Sequence, residues 1–516
     1  MDIRTPIVPS TILLAMAAVL ASVHASDAAV DADDRPPNVV LILADDLGRS
    51  ELGCTGSIRI ETPNIDRLRA GGMLFEQAYS GSTVCAPSRC SILTGRHTGR
   101  SAIRDNLERG NLSGDPGTPG TRTIDAWTPP TSPAMWWGGQ EGMPAGTETI
   151  ATALRRRGYA NYFAGKWGLG GPGTGSLPVD HGFDGSIGFL CQRNAHNFYA
   201  SYLVEDRTKL PLEGNERGLT GEVYATDPMV ERSIAFIEDH ADRPFFLMYA
   251  TPVPHLALQV PDDSLQPYLG RWEEAPYPGG KGYLPNETPR ATYAAMVSRF
   301  DRNVGRIVDA LEQAGVLEET IVILTSDNGS TFQLGGYDPV FFEGTGGLRG
   351  HKCNLYEGGI RVPLIVSYPG RIEADSTEET VVAGWDLMPT ILGLAGATTE
   401  SPVDGVDLRP VLFGEGGISS DRSLYWEYHA SGGSQAARRG PWKSVRRKVH
   451  ADPDAPIELY RLDVDPNETI DVSAEHPEIV AEMRSIMESS HTPSEIDRWN
   501  IPESTSRSDP GADGGT

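Results

Sequence analysis

The apolar residues of the chain fall into short unbroken runs separated by amphipathic stretches. Asn38–Ala44 reads Asn-Val-Val-Leu-Ile-Leu-Ala and stops at Asp45-Asp46. An unbroken run of that length marks a strand buried on both faces, as in the middle of a parallel sheet. Runs of the same kind recur at Phe245–Ala250, 321–325 and 363–367. Between them the period changes to that of a helix, at 148–157, 227–240 and 291–314. The last is the clearest: Tyr293, Met296, Val297, Phe300, Val304, Ile307, Val308 and Leu311 form one stripe, and Gly315 stops it. Strands alternating with helices predict an α/β fold, a large mixed and mostly parallel sheet flanked by helices. After about Gly396 the texture changes. Strand-like pieces at Ser423–Tyr428, 442–445 and 458–462 precede one helical stretch at 477–489, which predicts a small C-terminal α+β subdomain.

The ends read differently. Arg4, an apolar run at 12–23 and the small residues of Val23-His24-Ala25 predict a secretory signal peptide over 1–25, hence export to the periplasm or the exterior. Residues 26–36 are an acidic linker, 37–395 the main α/β domain, 396–490 the C-terminal subdomain, and 491–516 a tail expected to be disordered. No later run reaches bilayer-spanning length, so no membrane span is expected in the mature chain.

Charge narrows the partners. Lys and Arg number 44 against 70 Asp and Glu, a net −26, which opposes binding to nucleic acid or anionic membranes. An anionic ligand must therefore be captured by local positive charge. Five cysteines in 516 residues are too few for a disulfide scaffold, and the odd count leaves at least one thiol unpaired within the chain.

Two buried runs end in oxygen-rich clusters, Asp45-Asp46 and Ser326-Asp327-Asn328-Gly329. Ligands gather at the carboxyl ends of strands in such sheets, and three carboxylates with an amide suit a hard divalent cation. Strand-end Asp and Asn also make turns and caps, and both readings stand at this point. Asn328-Gly329-Ser330 matches a glycosylation acceptor by chance. In the segment 85–95, Pro87 sits where a helix begins and Gly95 where it ends. Cys85 is thereby placed at a helix N-terminus, among free N–H groups, where an anion or an activated nucleophile is favoured. Arg89, four residues on, shares its face.

Cys85-Ala86-Pro87-Ser88-Arg89 followed by Leu93-Thr94-Gly95-Arg96 resembles the signature of the type I, formylglycine-dependent sulfatases of the alkaline phosphatase superfamily. Asn38 to Gly48, Thr62 to Asp66, Gly165-Lys166-Trp167, Ser326 to Gly329, Arg349 to Lys352, Glu357 to Pro363 and Leu459 to Leu462 resemble further family blocks in family order. The similarity runs from about Pro37 to about Met487. It implies an alkaline-phosphatase-like fold and hydrolysis of O-sulfate esters, on a carbohydrate or another sulfated small molecule. It further implies that a maturation enzyme oxidises Cys85 to formylglycine, whose hydrated aldehyde is the nucleophile. Asp45, Asp46, Asp327, Asn328 and residue 85 are implied as ligands of calcium, with magnesium the alternative. Arg89 and Lys166 are implied to hold residue 85 and the sulfate. His255 and Lys352 are implied to contact sulfate and the leaving oxygen.

One position departs from the pattern. Where the family has Gly-Lys-Trp-His-Leu-Gly, this chain has Gly168 in place of the histidine that contacts the hydrated aldehyde. His196, on the loop Cys191 to Asn197, is the nearest substitute in sequence, and Asn194 on the same loop is a further candidate substrate contact. Gly168 to Gly173 satisfies a dinucleotide-loop spacing, but Pro172 and the following glycines open no helix. Arg438, Arg439, Lys443, Arg446, Arg447 and Lys448 read as a solvated strand face. Trp136-Trp137 offer a stacking platform or a packed insertion. The competing functions are a formylglycine-dependent phosphodiesterase or phosphonate monoester hydrolase, and a silent sulfatase-like binding protein.

Overall fold

The computed structural model describes residues 35–107 and 140–502. The expected signal peptide, Trp136-Trp137 and the tail from residue 503 lie outside the described residues. No helix among the described residues is long and apolar enough to cross a membrane.

Ten strands form one sheet. At its centre Thr320–Ser326, Asn38–Ala44, Phe245–Ala250, Ala160–Lys166 and Gly185–Phe189 lie side by side, all parallel. Beyond Thr320–Ser326 the strand Leu364–Ser367 runs antiparallel, followed by Met73–Phe75 and Ser376–Glu378. At the other edge Tyr202–Glu205 and Thr208–Pro211 add an antiparallel pair. The predicted mixed, mostly parallel sheet is the observed one.

All seven residues of Asn38–Ala44 are buried, as an unbroken apolar run requires. Alternate side chains serve the two faces. Val40 and Ile42 join the core under the helices Thr226–Asp239 and Pro289–Gln313, through Met229, Phe236, Tyr293 and Phe300. Val39, Leu41 and Leu43 join the opposite core with Ile92 and Leu93 of Cys85–Thr94, Leu154 of Ile150–Arg156, and Ile391 of Leu387–Leu394. Register then does the positioning. Asn38 pairs with Thr320 and the match continues to Ala44 with Ser326, so both strands end level. Asp45-Asp46 and Asp327-Asn328 consequently emerge side by side, with the Asp327 N–H donating to Ala44 O at 3.0 Å.

The C-terminal part is a four-stranded antiparallel sheet, in the order Ser423–Tyr428, Ser434–Arg439, Trp442–Arg447, Ile457–Arg461. The helix Pro477–Ser490 covers one face through Met483 and Met487. The other face carries Trp426, Tyr428, Val445 and Tyr460 against Tyr79, Val84, Ile360 and Trp385 of the main body. Val84 immediately precedes the Cys85 helix, so this sheet backs the candidate nucleophile.

The expected solvated basic face is corrected here. Arg447 and Lys448 are exposed, but Arg438, Lys443 and Arg446 are buried. Side chains alternate across a strand, so a dense basic run cannot keep every charge on one face. Arg438 and Lys443 are cross-strand partners on the face turned to the body. Lys443 Nζ meets Glu357 Oε1 at 2.8 Å and Glu468 Oε1 at 2.9 Å.

Candidate active site

Four parallel strands deliver the site. Asp45-Asp46 follow Asn38–Ala44, Lys166 ends Ala160–Lys166, His255 lies just past Phe245–Ala250, and Asp327-Asn328 follow Thr320–Ser326. Cys85 is the first residue of Cys85–Thr94; Val84 ahead of it is extended, and Gly95 closes the helix in the left-handed region at φ +67°. Glycine suits that closing position because it adopts such a φ without steric cost.

The expected groups converge. Ligand atoms of Asp45, Asp46, Cys85 and His255 all lie within 4.8 Å of one another. Lys166 Nζ is 2.6 Å from Asp45 Oδ2, and Lys352 Nζ is 2.7 and 2.9 Å from the two Asp46 oxygens. Lys352 Nζ also reaches Cys85 Sγ at 3.4 Å, and Cys85 Sγ donates to Asp45 Oδ1 at 3.3 Å. Arg89 donates from Nε and Nη2 to Asp327 Oδ2 at 3.0 and 2.9 Å, and from Nη1 to the Lys166 carbonyl. Two donors sharing one carboxylate oxygen and a third on a carbonyl fix the planar guanidinium. His255 Nε2 sits 3.6 Å from Asp46 Oδ2, and its Nδ1 lies 2.6 Å from Leu256 O. A carbonyl only accepts, so Nδ1 carries the proton and the neutral ring turns its Nε2 lone pair to the site.

Electrostatics follow from burying three carboxylates with three cations. Burial opposes the charge of Asp45, but Lys166, Arg89 and Lys352 outweigh it and hold its carboxyl well below the usual range. Burial raises Asp46 against the pull of Lys352, and Asp327 is pushed up to about 6 by burial and the Asp45 charge. Burial also opposes the charges of Lys166 and Lys352, which their carboxylate neighbours restore. The Cys85 thiol is pushed up by burial and then by Asp45. This corrects the expectation of an activated thiol. The helix N-terminus is present, yet adjacent carboxylate and lost solvation disfavour a thiolate.

The oxygen set fits a hard divalent cation. Asn328 Nδ2 donates to Asp46 Oδ1 at 2.8 Å, while Asn328 Oδ1 is buried without a hydrogen-bond partner. An orphaned buried acceptor beside three carboxylates is the donor chemistry that calcium or magnesium takes.

His196 is brought in as well. Its ring stacks on His255, with centroids 4.7 Å apart, and on Tyr283 at 5.5 Å. Burial, then the nearby charges of Lys166 and Lys352, push it well below its ordinary value. Asn194 is not brought in: its Oδ1 accepts from Arg217 and its Nδ2 donates to Tyr202 O at 3.5 Å. Two contributors had no sequence signal. Tyr283 stands on a Gly- and Pro-rich turn, Pro278 to Pro285, whose composition signals a loop and nothing of the site. Glu51 is a buried carboxyl that takes hydrogen bonds from Tyr293 and Tyr337 at 2.7 Å each and from the Gly48 N–H, behind the Asp45-Asp46 loop.

A family model described as Sulfatase matches residues 37–397. The chain belongs to the sulfatase family. A second model, N-sulphoglucosamine sulphohydrolase, C-terminal, matches residues 350–492. Arylsulfatase A of Homo sapiens is 33% identical over 411 residues, covering 75% of this chain and 68% of that protein. The N-acetylgalactosamine-6-sulfatase of Canis lupus familiaris is 31% identical over 383 residues, covering 70% of this chain and 63% of the relative, just under two thirds of its length. The crystal structure of Ps i-CgsB in complex with k-i-k-neocarrahexaose superposes with a TM-score of 0.71 at 25% identity, covering 90% of this chain and 97% of that one.

Proposed function

We propose that this sulfatase-family chain hydrolyses O-sulfate monoesters on a sulfated carbohydrate, with residue 85 as formylglycine and calcium, or magnesium, in the oxygen site. The observation that carries the reading is the convergence of Arg89, Lys166, Lys352 and His255 around residue 85 and the Asp45–Asp46–Asp327–Asn328 oxygens. When present, formylglycine supplies a hydrated aldehyde as nucleophile and the cation supplies charge neutralisation.

The side chains do the rest. Sulfate carries its charge on peripheral oxygens, and cleavage builds negative charge on the leaving oxygen. Lys166 and Lys352 flank residue 85 and stabilise that distribution, while Arg89 locks Asp327 and the Lys166 carbonyl in place. His255 holds its Nε2 lone pair toward the site, where it can take the proton that the nucleophilic hydroxyl gives up and pass it to the leaving oxygen. His196 and Tyr283 stack behind it and keep its ring from turning.

Relatives support the glycan reading: one is named an N-acetylgalactosamine-6-sulfatase, and one solved neighbour is in complex with k-i-k-neocarrahexaose. Export through the leading apolar run, maturation of Cys85 by a dedicated enzyme, and a division near residue 396 between catalytic and C-terminal parts belong to the same proposal. Relative kcat/KM on a panel of defined sulfated saccharides, a small aryl sulfate, and phosphate mono- and diesters tests it. Sulfate esters are expected to lead; a phosphodiester or phosphonate preference overturns the reaction class.

A further inference from the structure

The peptide that follows residue 85 is held by side-chain amides. Asn106 Oδ1 accepts from the Ala86 N–H at 2.8 Å, one of the N-terminal helix donors that has no partner inside the helix. Gln192 Nε2 donates to the same Oδ1 at 3.2 Å, and the Gln192 N–H donates to Gln140 Oε1 at 3.2 Å. These donors fix both amide orientations. A backbone N–H can only donate, so Asn106 presents its oxygen, and the second group on that oxygen must be the NH2 of Gln192. Gln192 and Gln140 are buried.

Gly168 lies against this pair. Its φ is +71°, and a Cβ built on it would stand 3.0 Å from Gln192 Nε2 and 3.4 Å from Gln192 Cγ. A side chain at 168 and the Gln192 amide therefore compete for one space. Gly168 hydrogen-bonds through its N–H to Leu190 O, so the glycine and the loop carrying Gln192 are tied together. The same loop carries His196 four residues on.

We propose that Gln192 and Asn106 are positioning residues for the nucleophile at 85, and that their amide pair occupies the space that a side chain at 168 would take. The proposal rests on the sulfatase reading above. The pair acts through the Ala86 N–H: it fixes the peptide plane that leads out of residue 85, and so the direction in which the nucleophile is presented. Displacing a reacting group by about 1 Å can cost about a hundredfold in rate, and an interaction felt only in the transition state lowers kcat without raising KM.

The test uses the full-length enzyme, loaded with calcium, on a sulfated monosaccharide that the wild type turns over. Each preparation is normalised to its fraction of modified residue 85, read by peptide mass. Gln192→Met keeps the volume and removes the donor; it is expected to lower kcat about tenfold with KM within about twofold. Asn106→Leu removes the acceptor and should lose at least as much, while Asn106→Asp keeps the acceptor and should retain most of kcat. Wild-type kcat in Gln192→Met overturns the proposal, and so does equal damage from Asn106→Asp and Asn106→Leu. A wild type that releases no sulfate fails the sulfatase reading instead, so the two failures are told apart.

Discussion

Lys443→Met isolates the ionic contact by which the C-terminal sheet grips the main body. Lys443 is fully buried between Glu357 and Glu468, at 2.8 and 2.9 Å. Glu357 keeps other partners when the lysine goes, since Arg361 Nη1 lies 2.8 Å away and the Tyr79 hydroxyl donates at 2.7 Å. Glu468 keeps only the Glu357 N–H, at 2.6 Å, among the contacts described for its carboxylate. Removing one partner from a buried ion pair costs about 3–5 kcal/mol, because the remaining charge stays desolvated. Unfolding entropy of about 1 kcal/mol/K for a chain of this length converts that to a fall of about 3–5 °C in Tm. The deficit should depend on pH. Glu468 is pushed up to about 6 by burial, against the pull of Lys443. With its folded value above the ordinary 4.5, its contribution favours folding at low pH and is lost as pH rises through about 6. Loss of Lys443 pushes it higher still, so the variant should trail the wild type more at pH 8 than at pH 5. Adding Glu468→Gln should restore part of the loss. Thermal unfolding followed by circular dichroism at both pH values reads the effect. Melting within about 1 °C of wild type at pH 8 would refute the reasoning.

Chelation should abolish sulfate release, with calcium or magnesium restoring it; elemental analysis that finds stoichiometric zinc would sink the oxygen-site assignment. His196→Ala should lower kcat about tenfold or more if its ring serves the proton transfer beside His255, and steady-state kinetics showing only a raised KM would reassign it to substrate grip. His97, pushed down to about 4 by burial, is buried neutral. Its folded value lies below the ordinary 6.5, so its contribution is present above pH 6.5 and is lost as pH falls toward 4, by up to about 3 kcal/mol. Urea unfolding of wild type and His97→Gln across pH 7 to 4.5 should therefore converge at the acid end, and parallel curves would contradict this.

Strand-end chemistry was legible because it rests on an unbroken apolar run followed by carboxylates. Asn38–Ala44 and Phe245–Ala250 need no partner to be recognised, and their carboxyl ends hold the site. The strand Ser434–Arg439 was not legible. Its sequence Ser-Gln-Ala-Ala-Arg-Arg carries no apolar alternation, and its inward Arg438 is tolerated only because it pairs with Gln77 at 2.6 Å and with the Tyr79 hydroxyl. Lys443 misled for the same reason: a buried cation looks like a solvated one until Glu357 and Glu468, distant in sequence, close on it. Within the site, Arg89, Lys166 and Lys352 stood in recognisable blocks and His255 was implied by the resemblance, whereas Gln192, Asn106 and Tyr283 become functional candidates only through contacts across the fold. Asn194 shows the converse. Its neighbourhood in sequence to His196 placed it in the site on paper, and one short 3-10 turn, Asn194–His196, turns the two side chains to different partners.

Residue 85 carries the central claim, and its chemical state can be measured against turnover. In a series of preparations with different extents of maturation, peptide mass spectrometry gives the fraction of residue 85 lighter by about 18 Da than the thiol form. Sulfate released per enzyme from a sulfated saccharide should rise in proportion to that fraction and pass through zero with it. Undiminished sulfate release from enzyme whose residue 85 is entirely thiol would contradict the account.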